Sequence, residues 1–141
     1  MNMGIVIVDF NKIFSALLHP NAPVQSLLQS ESIRFFAPNY LINELFRHKE
    51  RVLSFSKLSP LELDEILEKC LENLRFYPLA EIKEENRQLA YELTHDVDLK
   101  DLPYVALTLE LDGLLWTGDK KLKTALLAKG FDHFFEFPLA T

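Results

Sequence analysis

The sequence predicts a three-layer α/β/α domain around a central, mainly parallel sheet of about five strands. Three observations carry that expectation. Short β-rich runs alternate with amphipathic helical patterns along the chain. The run Ile5-Val6-Ile7-Val8 has no polar alternation, as suits a strand buried on both faces by helices. Acids stand where strands give way to helices, Asp9 after the first run and Asp119 after Leu114-Leu115-Trp116-Thr117. In open α/β sheets the ligand crevice lies beyond the carboxyl ends of the strands. Both acids therefore fall at the edge where chemistry is placed.

At 141 residues the chain is expected to form one domain, residues 1–141, with a core of its own. Hydrophobic residues make up 48% and charged residues 26%, a globular composition without a disorder signature. No apolar run approaches the roughly 20 residues of a membrane span. No basic segment precedes a hydrophobic one at the start, so no signal peptide is expected, and Cys70 is expected to be a reduced, buried cysteine of a cytoplasmic protein. The net charge of −6 argues against a generic nucleic-acid surface, because phosphate binding normally brings an excess of Lys and Arg. Acids converging on a divalent cation would relax that argument, since the metal offsets part of the charge. The 11 phenylalanines are assigned to packing and not to base stacking.

In chain order, Lys12–Leu18 reads as a short helix with Ile13, Phe14, Leu17 and Leu18 on one stripe. The turn cluster His19-Pro20-Asn21-Ala22-Pro23 ends it, and 24–29 can form another short helix. Ile33–Ala37 is the second strand, after which Asn39 is expected to cap a helix from Tyr40 to about Lys49, apolar along Leu41, Ile42, Leu45 and Phe46. Ser59-Pro60-Leu61-Glu62 is a capping box with Pro in the first turn. It opens a helix with Leu63, Ile66, Leu67, Cys70, Leu71 and Leu74 inward. Arg75–Leu79 is a strand that Pro78 confines to a short or edge position. Glu81–Leu93 is an amphipathic helix with Ile82, Leu89, Ala90 and Leu93 inward, and another helix opens between Asp98 and Pro103 and runs to Leu111. Asp112-Gly113 stops it before the buried strand Leu114–Thr117. Lys120–Ala128 is the last helix, with Gly130 beyond it, and 134–137 a final strand.

Neighbouring central strands would bring Asp9 and Asp119 together, with Asp98 and Asp101 at the helix opening before the second of them and Glu44 on the flank of an apolar helix face. Carboxylates so crowded repel one another unless some are protonated or a cation lies between them. Oxygen donors of this kind suit Mg²⁺ or Mn²⁺, and a cation so held can activate water for phosphodiester hydrolysis. Each acid also has a plain structural explanation, since Asp is a favoured helix N-cap. Asp98 fits that role best, although a helix opening at Asp101 would suit Pro103 better.

The segments Val8-Asp9-Phe10-Asn11, Asn43-Glu44-Leu45, Asp101-Leu102-Pro103-Tyr104-Val105-Ala106-Leu107 and Trp116-Thr117-Gly118-Asp119-Lys120-Lys121-Leu122 together resemble the PIN-domain family in order and spacing. The resemblance implies a PIN-like fold and a four-acid metal site formed by Asp9, Glu44, Asp101 and Asp119. It implies a Mg²⁺- or Mn²⁺-dependent ribonuclease, often the toxin of a VapBC-type toxin–antitoxin pair, homodimeric and silenced by a small antitoxin protein. Asn11, Ser15, Asp98 and Thr117 lie beside the matched acids as candidates for orienting ligands or water.

Rival chemistries find less support. The four histidines are scattered without an i, i+4 pair, and the four glycines form no phosphate loop. A receiver-like phosphoacceptor would want a second acid beside Asp9. An inactive PIN-like module that binds a protein partner is the alternative that the acidic charge favours. Arg34, Arg47, Lys49, Arg51, Lys57, Lys120, Lys121 and Lys123 are the basic residues to test for RNA contact.

Overall fold

A computed structural model of the chain describes residues 4–19 and 23–136. Its sheet has four parallel strands, β1 (Ile5–Val8), β2 (Arg34–Pro38), β3 (Leu74–Tyr77) and β4 (Leu114–Trp116), in the order β3-β2-β1-β4. The chain lays β2 and β3 outward on one side of β1, then returns to place β4 on the other side. The strand order therefore reverses between β1 and β4, and such a switch point leaves a crevice at the carboxyl edge. Val6, Ile7 and Val8 have no exposed surface, as their unbroken apolar run predicts. The fully parallel arrangement confirms the α/β class with its helix-flanked sheet, and β3 takes the edge position that Pro78 implied.

The helices are α1 (Phe10–Leu18), α2 (Pro23–Leu28), α3 (Tyr40–Phe55), α4 (Pro60–Leu71), α5 (Glu84–Thr94), α6 (Leu102–Leu111) and α7 (Lys120–Ala128), with 3₁₀ turns at Leu79–Glu81 and Leu99–Asp101. α6 is buried almost all round, lies on β1, β2 and β4, and packs against α5. α1 packs with α3 and α4. No helix among the described residues is long and apolar enough to cross a membrane. The capping box of α4 is complete, Ser59 Oγ accepting from Glu62 N–H and Glu62 Oε1 accepting from Ser59 N–H. Cys70 is a buried free thiol, and burial pushes it up to about 11, which keeps it unreactive.

Several expectations are corrected. The sheet has four strands where about five were expected. Around Phe134 there is only an isolated bridge to Leu115, because the three-residue β4 offers a short outer edge, and Phe137 lies outside the described residues. The helix expected to end near Lys49 runs on to Phe55, because Val52, in the turn after the polar residues 47–51, is buried in the core. Asn39 is itself in helical conformation and makes no capping bond. Ile42 and Phe46 were expected to face the core but are 38% and 77% exposed, and Leu89 on α5 is 43% exposed. On α3 the cause is packing: Ile42, Leu45 and Phe46 line an open apolar groove of about 320 Å³ between α1, α3 and α4.

Gly113 marks a tight approach. Asp112 closes α6 in the left-handed region, with φ 50°, and Gly113 then lies directly against β1. A Cβ there would meet Ile5 Cγ2 and Ile7 Cδ1 at 2.8 Å and the Ile5 carbonyl oxygen at 3.0 Å. Gly113→Ala is expected to lower stability by about 1–3 kcal/mol, read as a lower urea midpoint at unchanged slope.

Candidate active site

The register of β1 on β4 builds the crevice. Val8 pairs with Trp116, so Asp9 and Thr117 leave the sheet side by side, and Asp9 N–H donates to the Trp116 carbonyl at 3.3 Å. Both acids at this edge are helix caps as well. Asp9 Oδ1 accepts from Lys12 N–H at 3.1 Å at the start of α1, and Asp119 Oδ1 accepts from Leu122 N–H at 3.1 Å at the start of α7. The cap reading that the sequence offered therefore holds for both, and a cap uses one carboxylate oxygen and leaves the other. Thr117, 9% exposed, ties the pair together. Its hydroxyl accepts from Asp119 N–H at 3.1 Å and forms a hydrogen bond with the Asp9 carboxyl.

Asp101 and Glu44 approach from the helices. Asp98 is the acid that caps, Oδ1 accepting from Lys100 N–H at 3.0 Å, whereas Asp101 makes no capping bond. That frees the Asp101 carboxylate for the crevice, and its buried Oδ2 has no hydrogen-bond partner. Glu44, on the second turn of α3, accepts a hydrogen bond from the Tyr104 hydroxyl of α6. Tyr104 lies one turn after Asp101 and is 3% exposed. Asn11 stands exposed in the first turn of α1, and Ser15 is half-buried one turn further on.

The electrostatics bind these acids into one group. Burial pushes Asp9 from 3.8 up to about 6, with the Glu44 charge adding to the rise and Thr117 and Lys12 opposing it. Asp101 is pushed up to about 7, first by burial and then by the charges of Asp98, Asp119, Asp9 and Glu44. Burial also raises Glu44, partly offset by Tyr104, Arg47 and Lys100. Glu44 thus raises Asp9, and Asp9, Glu44, Asp98 and Asp119 raise Asp101, as expected of carboxylates collected at one crevice whose nearby cations offset their charge only in part.

As the side chains stand, no three His, Cys, Asp or Glu residues among those described are close enough together to share a metal ion. The carboxylates turn to other partners instead: Glu44 to Tyr104, and Asp9 to Thr117 and the amide of Lys12. The donor chemistry nevertheless fits a hard divalent cation. All four groups are carboxylates on or beside helices, Asp9, Glu44 and Asp101 are raised by burial, and Asp101 Oδ2 is buried without a partner.

Two contributors escaped the sequence reading. Tyr104 belongs to the Asp101-x-Pro103-Tyr104 segment, yet nothing in one sequence says that its hydroxyl meets a residue 60 positions away. Lys12 holds Asp9 through its backbone N–H, while its ammonium lies 5.4 Å from the Trp116 ring centroid. The spacing of Asp9 to Lys12, that of a cap to its third helical residue, was the available signal.

Compared with known families, the chain matches the model of the PIN domain over residues 7–130. No curated protein matches it. The matched span contains all four acids and every strand but the first two residues of β1.

Proposed function

The chain belongs to the PIN-domain family, whose members are generally nucleases, and on that premise we propose that it is a divalent-metal-dependent endoribonuclease. The observation that carries this reading is the partnerless, buried Oδ2 of Asp101, a carboxyl raised first by burial and then by the charges of Asp98, Asp119, Asp9 and Glu44. Asp9, Glu44, Asp101 and Asp119 would hold Mg²⁺ or Mn²⁺. Such an ion, when bound, supplies a water of lowered pKa and offsets charge on the phosphoryl oxygens.

The chain's own residues then have distinct tasks. Thr117 ties the Asp9 carboxyl to the backbone of Asp119, which holds the two acids in fixed relation at the sheet edge. The Tyr104 hydroxyl fixes Glu44 in orientation and leaves its second oxygen available. The two helix caps orient Asp9 and Asp119 through one oxygen each. This reading needs no side chain as a separate general base.

The resemblance extends the reading to a cytoplasmic toxin, acting as a homodimer and silenced by a small antitoxin protein. The identity of the neighbouring gene tests that extension. The biochemistry is tested by incubating purified protein with single-stranded RNA and Mg²⁺ or Mn²⁺. Cleavage that stops on chelation and is lost in Asp119→Asn, with an unchanged circular dichroism spectrum, is the expected result. Equal cleavage by that variant would remove the reading.

A further inference from the structure

The exposed face of α3 leads away from the acids as a ladder of cations and aromatic rings. Tyr104, the partner of Glu44, meets Tyr40 edge to face at 6.5 Å. Arg47 Nη2 donates to the Tyr40 hydroxyl at 2.8 Å, its guanidinium 5.4 Å from the ring centroid. One turn on, Arg51 lies 5.7 Å from both the Phe14 and the Phe55 ring centroids, and His48 packs on Phe10 at 5.0 Å. Residues 40, 44, 47, 51 and 55 recur at intervals of three and four, so they share one helical stripe. Among the described residues, Arg47 and Arg51 form no ion pair, and neither does Lys100, whose charge reaches Glu44 and His48. Phe55 is 67% exposed.

The charges of Arg47, Arg51 and Lys100 all reach His48, so three cations gather beside the acids on a chain of net charge −6. Two guanidiniums stiffened against rings and spaced about 6 Å along the axis are prepared for an acidic polymer more than for bulk water. An open aromatic ring at the far end offers a stacking face of the sort that single strands use, because every base has a π-face.

Resting on the ribonuclease reading, we propose that the α3 stripe is the substrate track: it takes single-stranded RNA leaving the acidic crevice, with phosphates on Arg47 and Arg51 and a base on Phe55. This reverses the sequence-based assignment of every phenylalanine to packing. It also reconciles an acidic protein with a polyanionic substrate, because Arg47 and Arg51 set positive charge along the path that the strand takes. The track binds by backbone charge and stacking, so it favours single strands over duplex and carries little sequence preference.

The test is fluorescence anisotropy with a fluorescein-labelled oligouridine about 12 nucleotides long. It is run with Mg²⁺ in the Asp119→Asn background, so that the probe stays intact, across a salt series. Arg47→Ala with Arg51→Ala is expected to weaken binding at least tenfold and to reduce the slope of log affinity against log salt by about 1.4. Phe55→Ala is expected to weaken binding about tenfold with the slope unchanged. Binding by the parent protein with affinity and slope untouched in the variants overturns the track and leaves the nuclease reading standing. A parent protein that binds no RNA overturns both. Variants that keep RNA affinity but change sedimentation mass overturn the track in favour of a contact between copies of this chain.

Discussion

Asp9→Asn is expected to abolish metal-dependent cleavage and, in chelator, to make the protein more stable than the parent chain. The two effects have one physical origin. Asp9 is 6% exposed, and burial holds its carboxyl at about 6 where the unfolded chain has 3.8. Ionising it inside the fold is therefore harder by about 3 kcal/mol, and that strain is present at neutral pH without a cation. Asn has nearly the same shape, carries no charge, and is as good an N-cap as Asp, so the bond from Lys12 N–H survives. A rise of about 1–3 kcal/mol, or roughly 3–10 °C in melting temperature, is expected by differential scanning calorimetry in EDTA. The same change removes a carboxylate from the crevice, with an expected loss of roughly 10²- to 10³-fold or more in cleavage. A variant that melts lower than the parent in EDTA would show that Asp9 is held by favourable partners and not strained.

The pH dependence of metal-free stability should run opposite to that of an ordinary salt-bridged protein. Asp9 at about 6 and Asp101 at about 7 both lie above their unfolded value of 3.8, so the folded state binds more protons than the unfolded state between about pH 4 and pH 7. Stability must then fall as pH rises through that window and level off above it. Glu44, raised by burial, acts in the same direction. Glu62, Asp96 and Glu110 are lowered by hydrogen bonds, but as surface groups they matter only on acidification below their unfolded values. His48, lowered by burial and by Arg51, Arg47 and Lys100, opposes the trend weakly near its ordinary range. Urea melts in EDTA should show a higher midpoint at pH 5 than at pH 8. Saturating Mg²⁺ or Mn²⁺ should raise the pH 8 midpoint and leave that at pH 5 nearly unmoved, because protons and metal compete for the same carboxylates. A midpoint that rises from pH 5 to pH 8 in EDTA would contradict the crowding of acids at the crevice.

Local chemistry was legible in the sequence where one short segment decides the structure. The apolar run of β1, the capping box of α4 and the bounds of α7 are of this kind, each specified by residues within a few positions of one another. What distant packing decides was not legible. Whether Phe46 is core or surface depends on where α1 and α4 lie against α3, and the helix leaves it on the rim of a groove. The end of α3 was misplaced because the polar run 47–51 looks like a terminus until Val52 is seen to reach the core. At the site, Asp9 and Asp119 could be read from strand ends, and Asp98 and Asp101 from their place at a helix opening. Which of that second pair caps depended on backbone conformation: Asp98 is extended and Asp101 helical. The hydrogen bond of Tyr104 to Glu44 was out of reach, because it joins two helices distant in sequence.

The central claim is that Asp9, Glu44, Asp101 and Asp119 serve one divalent cation site at the switch point of the sheet. Anomalous diffraction from crystals of this protein soaked in Mn²⁺ tests it most directly. The account predicts an anomalous peak among these four carboxylates, absent from crystals of Asp101→Asn treated in the same way. A crevice with no peak in the parent protein, or a peak that persists unchanged in the variant, would contradict it.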